Sequence, residues 1–225
     1  MPLSTDVAAR LDDATRSKRL LEHPFYKAWT AGTLTEDDLA FYAGQYWRQV
    51  EAFPSYLENV AGSLPEGPAK ETILANLSDE IDGDHAALWL DFAASVGAAE
   101  DTVRSSPPEP ETAACVAGFN EGTRQRSAVF ALGMLYGYES QTPGVAATKV
   151  EGLRTHYGIQ GKGLEYFELH GEMDVEHSAE LAAAIAGIAT DEASLADAEA
   201  GARAGASEIY RLLDGVARER GISSN

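Results

Sequence analysis

The segment His170-Gly-Glu-Met-Asp174-Val-Glu-His177 constrains this chain more than any other stretch. Its His, Asp and His lie at i, i+4 and i+7, and at about 100° of turn per residue all three fall on one narrow helix face. Histidine and aspartate are poor partners for an apolar neighbour, whereas imidazole nitrogen and carboxylate oxygen are what iron or manganese accept. The spacing therefore predicts a metal-ligand row inside a helical protein.

The remainder of the sequence agrees with a helical reading. Long stretches rich in Ala, Leu and Glu carry apolar residues three and four apart, and no run of alternating Val, Ile or Thr competes with them. The chain is expected to be all-α and one domain over residues 1–225, with 219–225 as a frayed tail. The pattern predicts helices over 4–22, 35–62, 66–82, 84–96, 110–139, 143–156, 162–187 and 190–218, with Pro54 bending or interrupting the second. Gly and Pro clusters at Gly62 to Pro68, Gly97, Pro107-Pro108 and Gly158 to Gly163 supply the punctuation.

Charge and cysteine content narrow the function. A formal charge of −19 argues against nucleic acid or an anionic membrane surface as partner and favours small molecules and metal cations. No segment approaches 18 consecutive apolar residues and the N-terminus has no basic-then-apolar signal pattern, so a soluble cytoplasmic protein is expected. The single Cys115 allows neither an intrachain disulfide nor a thiolate cluster. A metal must be held by nitrogen and oxygen.

Two further places offer such ligands. Glu139 ends a long apolar stretch at Tyr136-Gly-Tyr138-Glu139, where a buried unpaired charge would cost more than a domain's stability allows unless a metal accompanies it. In Asp79-Glu80-Ile81-Asp82-Gly83-Asp84-His85, four acids crowd one histidine. Asp82 and His85 share a face of an unbroken helix, whereas Glu80 meets His85 only if the backbone breaks at Gly83. Spacing leaves both open. Three carboxylates and three imidazoles around two divalent cations would suit an oxygen-activating centre in a helical bundle.

Taken in order, Glu22-His23-Pro24-Phe25-Tyr26, Phe41-Tyr42-Ala43-Gly44-Gln45-Tyr46-Trp47, Asn76-Leu77-Ser78-Asp79-Glu80, His85, Leu88-Trp89, Tyr138-Glu139-Ser140-Gln141 and His170 to His177 closely resemble the heme-oxygenase-like dinuclear-metal oxidases. Within these, the likeness is to the family of the Chlamydia protein associating with death domains, and it covers most of residues 10 to 190. The resemblance implies a compact heme-oxygenase-like, thiaminase-II-like bundle of seven to eight helices, which could form a homodimer. It also implies two metal ions, iron and/or manganese, held by Glu80, His85, Glu139, His170, Asp174 and His177, Glu80 being preferred over Asp82. The link between Gly83 and His85 is shorter here than in the family member compared.

The resemblance further implies an unusual route to 4-aminobenzoate for folate biosynthesis. In it a protein's own tyrosine is cut down oxidatively and a lysine supplies the amine, with O₂ and an external reductant as cosubstrates. The matching residues are Tyr26, Tyr138 and Lys149. Rival readings keep the fold and metals but act on an external amino acid or fatty acid, or make the chain a non-enzymatic partner of death domains. A thiamin-salvage hydrolase of the same fold would need an activated cysteine, and Cys115 stands among apolar neighbours without an adjacent base.

Overall fold

A computed structural model describes residues 6–223, and within them there are eleven α-helices and no strand. In chain order these are α1 (Val7–Thr15), α2 (Pro24–Ala31), α3 (Glu36–Ser63), α4 (Pro68–Asp82), α5 (His85–Ser95), α6 (Glu100–Ser105), α7 (Pro110–Gln125), α8 (Ala128–Glu139), α9 (Thr142–Tyr157), α10 (Lys162–Ile188) and α11 (Glu192–Arg220). Eight of them have eleven residues or more, and three are shorter. No helix among the described residues is long and apolar enough to cross a membrane.

The centre of the bundle is α8, buried at every position from Val129 to Glu139. A helix apolar all round must be enclosed by others, and glycine makes the enclosure close. A Cβ added at Gly133 or Gly137 would lie 2.1 Å from the carbonyl oxygens of Ala198 and Ala202 on α11, and Gly201 and Gly205 meet α8 in the same way. This backbone-to-backbone seam fixes the end of α8, and with it Glu139.

Several boundaries differ from the sequence expectation, each for a local reason. The segment 4–22 becomes α1 followed by two short 3₁₀ turns at Arg16–Lys18 and Leu20–Glu22, with residues 4 and 5 outside the described part. The unforeseen α2 starts at Pro24, and the His23 ring caps it by accepting the Phe25 N–H at 3.0 Å. Helix α3 runs through Pro54 without interruption, because Phe53, Tyr56 and Leu57 are buried around it and packing outweighs one lost hydrogen bond. The expected 110–139 helix divides at Arg126–Ser127, where the Ser127 hydroxyl caps α8 at Phe130 N–H. Short α6 fills a stretch that the apolar pattern leaves unassigned. Glu219 and Arg220, expected in the frayed tail, close α11 before Gly221 caps it in the left-handed conformation, while Ser224 and Asn225 lie outside the described residues.

Candidate metal centre

Helix α10 presents His170, Asp174 and His177 on one buried face, as the spacing requires. The opposite wall comes from α4, α5 and α8. The backbone break that Glu80 needs lies at Gly83–Asp84, but the left-handed residue is Asp84, at φ 46°, whose carboxylate caps α5 through Ala87 N–H. Gly83 has ordinary helical angles and is required for space: a Cβ there would lie 2.7 Å from both the Asp79 carbonyl oxygen and His85 Nε2. The break turns His85 back over Glu80. Asp82 stays outside, exposed and accepting a hydrogen bond from Ser78 Oγ at 2.8 Å.

The six residues form two trios, Glu80 with His85 and His170, and Glu139 with Asp174 and His177. In each trio one potential ligand atom per residue lies within 4.8 Å of the others. In the first, Glu80 Oε2 is 2.9 Å from His85 Nδ1 and Oε1 is 3.7 Å from His170 Nε2. His170 Nδ1 donates to the Tyr166 carbonyl at 2.7 Å, which sets the tautomer and leaves Nε2 for the trio. In the second, His177 Nδ1 is 3.5 Å from Asp174 Oδ1 and 3.8 Å from Glu139 Oε2, while its Nε2 faces Asp79 Oδ2 at 3.4 Å. Asn76 Nδ2 donates to both Glu139 oxygens, at 3.3 and 3.2 Å. A small cavity lined by Glu80, Glu139, His170 and Asp174 joins the trios.

Their protonation shows how poorly these charges are served by the protein alone. Burial raises the Glu139 carboxyl well above its usual range, and the Asp174 charge raises it further. Burial also works against charge on Glu80 and the two α10 histidines, but mutual contacts win there. Hydrogen bonds from His170 and His85 hold Glu80 down at about 2, and Asp174 and Glu139 carry His177 up to about 9. Divalent cations would satisfy these enclosed carboxylates and imidazoles better than the protein does alone, and the all-N/O donor set suits iron or manganese. The residues fit a metal pair.

Beside the trios lies an aromatic chamber. It is lined by Tyr26, Tyr46, Tyr138, Lys149, Tyr166 and His170, among others, and shares Tyr138, Tyr166 and His170 with the metal cavity. The structure therefore brings Tyr26, Tyr138 and Lys149 together next to the six acids and histidines. Lys149 is 3 % exposed, and burial lowers its amine from 10.5 to about 7. Its Nζ donates to Tyr42 Oη at 2.6 Å and stands 5.6 Å from the Tyr26 ring centre. The Tyr46 hydroxyl donates to the Tyr138 hydroxyl at 3.1 Å.

Sequence reasoning gives no role in the site to Tyr42, Tyr46, Tyr166, Asn76 and Asp79. The i, i+4 pair Tyr42 and Tyr46, and Tyr166 four residues before His170, are the available signals, but each also reads as core. Cys115 is buried against Gln49 with its thiol pushed well up by burial, the opposite of an activated nucleophile.

The profile of a family described as iron-containing redox enzymes matches residues 40–208. The chain belongs to that family. It is 34% identical over 219 residues to the 4-aminobenzoate synthase of Nitrosomonas europaea, covering 92% of this chain and 89% of that one. It is also 34% identical over 193 residues to the 4-aminobenzoate synthase of Chlamydia muridarum, covering 84% and 82%. A Shewanella denitrificans domain of unknown function with a heme oxygenase-like fold superposes at a TM-score of 0.79, with 20% identity over 96% of this chain and 90% of that one. The expected all-α, heme-oxygenase-like architecture is therefore the observed one.

Proposed function

We propose that this chain is an O₂-dependent dinuclear-metal oxidase that makes 4-aminobenzoate, for folate biosynthesis, from its own Tyr26, with Lys149 supplying the amine. The observation that carries the reading is the chamber itself. It leaves about 20 Å³ of space, enough for roughly one water molecule and far below the several hundred Å³ of ordinary ligand pockets. An external amino acid or fatty acid would enter only if the walls moved, whereas the Tyr26 ring and the Lys149 amine are already inside. The relatives named 4-aminobenzoate synthase support the product, and the buried charges have no use in a pure interaction protein.

In this reading Glu80, His85 and His170 would hold one ion, and Glu139, Asp174 and His177 the other. When bound, iron or manganese supplies the oxidising power from O₂ that no acid or base among these residues has. The chain's own groups do the rest. Asn76 and Asp79 orient Glu139 and His177, and the Tyr166 carbonyl orients His170. Tyr26 is fixed edge-on against Phe25 and hydrogen-bonded to Tyr42, so its ring is presented in one pose. Burial leaves about half of the Lys149 amine neutral at pH 7, hence nucleophilic, and its N–H donates to Tyr42 Oη. The surrounding rings exclude water. Tyr138 faces both cavities and links them through Tyr46.

Because the protein loses its own side chain, about one product or fewer per chain is expected, with reductant required. The test is mass spectrometry of small molecules released after anaerobic loading with iron and manganese, then addition of O₂ and reductant. Wild type should release 4-aminobenzoate, and Tyr26→Phe and Lys149→Met should not. Undiminished product from Tyr26→Phe would remove the self-consuming mechanism.

A further inference from the structure

We propose that a surface pocket beside residues 19–22 binds aryl carboxylates and is the vestibule through which product leaves the chamber, an inference that rests on the function proposed above for its second half. An aromatic acid cut from Tyr26 takes over the space of that side chain and is enclosed there by the chamber's walls. Tyr26 and Lys149 are both at most 3 % exposed, so an exit requires something to move.

The thinnest wall is identifiable from the residues. A pocket of about 380 Å³ opens on the surface, lined by Asp12, Arg19, Leu21, Glu22, Gln141 and Gly144, with Thr15 and Ser140 completing it. The chamber is lined by the alternate members of the same two stretches, Leu20 from the first and Thr142 from the second, and Val145 borders both spaces. The partition is one side chain thick.

The Gln141 side chain ties the two stretches together. Gln141 Oε1 accepts the Leu20 N–H at 2.8 Å, and Gln141 Nε2 lies 3.3 Å from the carbonyl oxygens of Lys18 and Gly137. Rotation of Gln141 breaks the side-chain tie to the 3₁₀ turn Leu20–Glu22, a three-residue element, and so lowers the cost of displacing Leu20 from the chamber.

Of the described charged residues lining the pocket, Arg19 is the one cation, beside the acids Asp12 and Glu22. Asp12 accepts the Tyr136 hydroxyl at 2.7 Å and Glu22 pairs with Lys27 at 3.2 Å. Arg19 makes no ion pair and no side-chain hydrogen bond among the described residues. A free guanidinium at the mouth of an aromatic chamber is suited to a carboxylate, which it grips through two parallel hydrogen bonds. A pocket of about 380 Å³ has room for a benzoate-sized ring.

The binding half is tested without metal, O₂ or turnover, so its outcome is independent of whether the chain makes the compound. 4-Aminobenzoate is titrated calorimetrically into wild type, Arg19→Ala and Arg19→Lys, with aniline as the carboxylate-free probe. The expected result is saturable binding of one 4-aminobenzoate per chain, weakened at least tenfold in Arg19→Ala and less in Arg19→Lys, with aniline indifferent to both changes. Absence of saturable binding, or equal affinity in wild type and Arg19→Ala, overturns the site. The exit half is read in a single turnover, comparing product in acid-quenched samples with product passing an ultrafilter. Gln141→Ala should shorten the delay between the two at least threefold, and an unchanged delay overturns the exit. Absence of product from quenched wild-type samples would instead overturn the proposed function and, with it, the exit, while the calorimetric result would still decide the binding site.

Discussion

Replacing Lys149 with methionine should stabilise the protein, by an amount that depends on pH in a way no surface lysine would show. The buried amine falls from 10.5 to about 7, with burial as the cause. The unfolded chain therefore binds more protons than the folded one between these values, and wild-type stability rises with pH across that window. At about 1.4 kcal/mol per tenfold, the penalty is about 5 kcal/mol below pH 7, about 4 kcal/mol at pH 7 and about 1 kcal/mol at pH 10. Methionine is similar in length, carries no charge and tolerates irregular cavities. It forfeits the hydrogen bond to Tyr42, about 1 kcal/mol, but the Tyr42 hydroxyl keeps Tyr26 as partner. A net gain of about 3 kcal/mol at pH 7 should shrink to nothing by pH 10. Urea denaturation of both proteins between pH 6 and 10 measures this directly. A pH-independent difference, or a Lys149→Met protein less stable at pH 7, would refute the assignment of a buried, neutral-leaning amine.

Other expectations follow from the same geometry. The rate of 4-aminobenzoate formation should climb about tenfold per pH unit below pH 7 and level off above pH 8, since only the neutral Lys149 amine is nucleophilic, and a pH–rate profile of single turnovers checks it. Elemental analysis after anaerobic reconstitution should find about two metals per chain, and His170→Ala and Asp174→Ala should each lower this sharply because each removes a buried donor from one trio. Gly83→Ala should lower the metal content toward about one per chain and cost about 1–3 kcal/mol of stability, since its Cβ would collide with the Asp79 carbonyl and His85 Nε2. Two metals retained in Gly83→Ala would show that the first trio tolerates displacement of His85.

What can be read from the sequence divides according to whether a signal is local. The row on α10 is legible because three polar residues at helical spacing on one unbroken helix meet regardless of what packs on them. Glu139 is legible because a carboxylate at the end of an otherwise apolar helix has no bland explanation. The choice between Glu80 and Asp82 is not decided by spacing, because it depends on Asp84 adopting a positive φ that aspartate tolerates but does not announce. The break between α7 and α8 is hidden since the apolar pattern continues past Ser127. Helix α2 is hidden since histidine is an uncommon cap. The burial of Lys149 and the convergence of Tyr26, Tyr42, Tyr46, Tyr138 and Tyr166 are tertiary facts, produced by α2, α3, α8, α9 and α10 meeting at one point, and each residue alone reads as ordinary core or surface.

The central claim is that the product's atoms come from the chain itself. Protein made with ring-¹³C tyrosine and side-chain-¹⁵N lysine, then purified, loaded with iron and manganese and exposed to O₂ and reductant in unlabelled buffer, tests it in one mass spectrum. The expected product is 4-aminobenzoate carrying the ¹³C ring and the ¹⁵N amine, together with loss of the side chain at Tyr26 and of the ¹⁵N from Lys149, whose Cε–Nζ bond is broken. Unlabelled 4-aminobenzoate, formed while Tyr26 stays intact, would contradict the claim and assign the chamber to a substrate from outside.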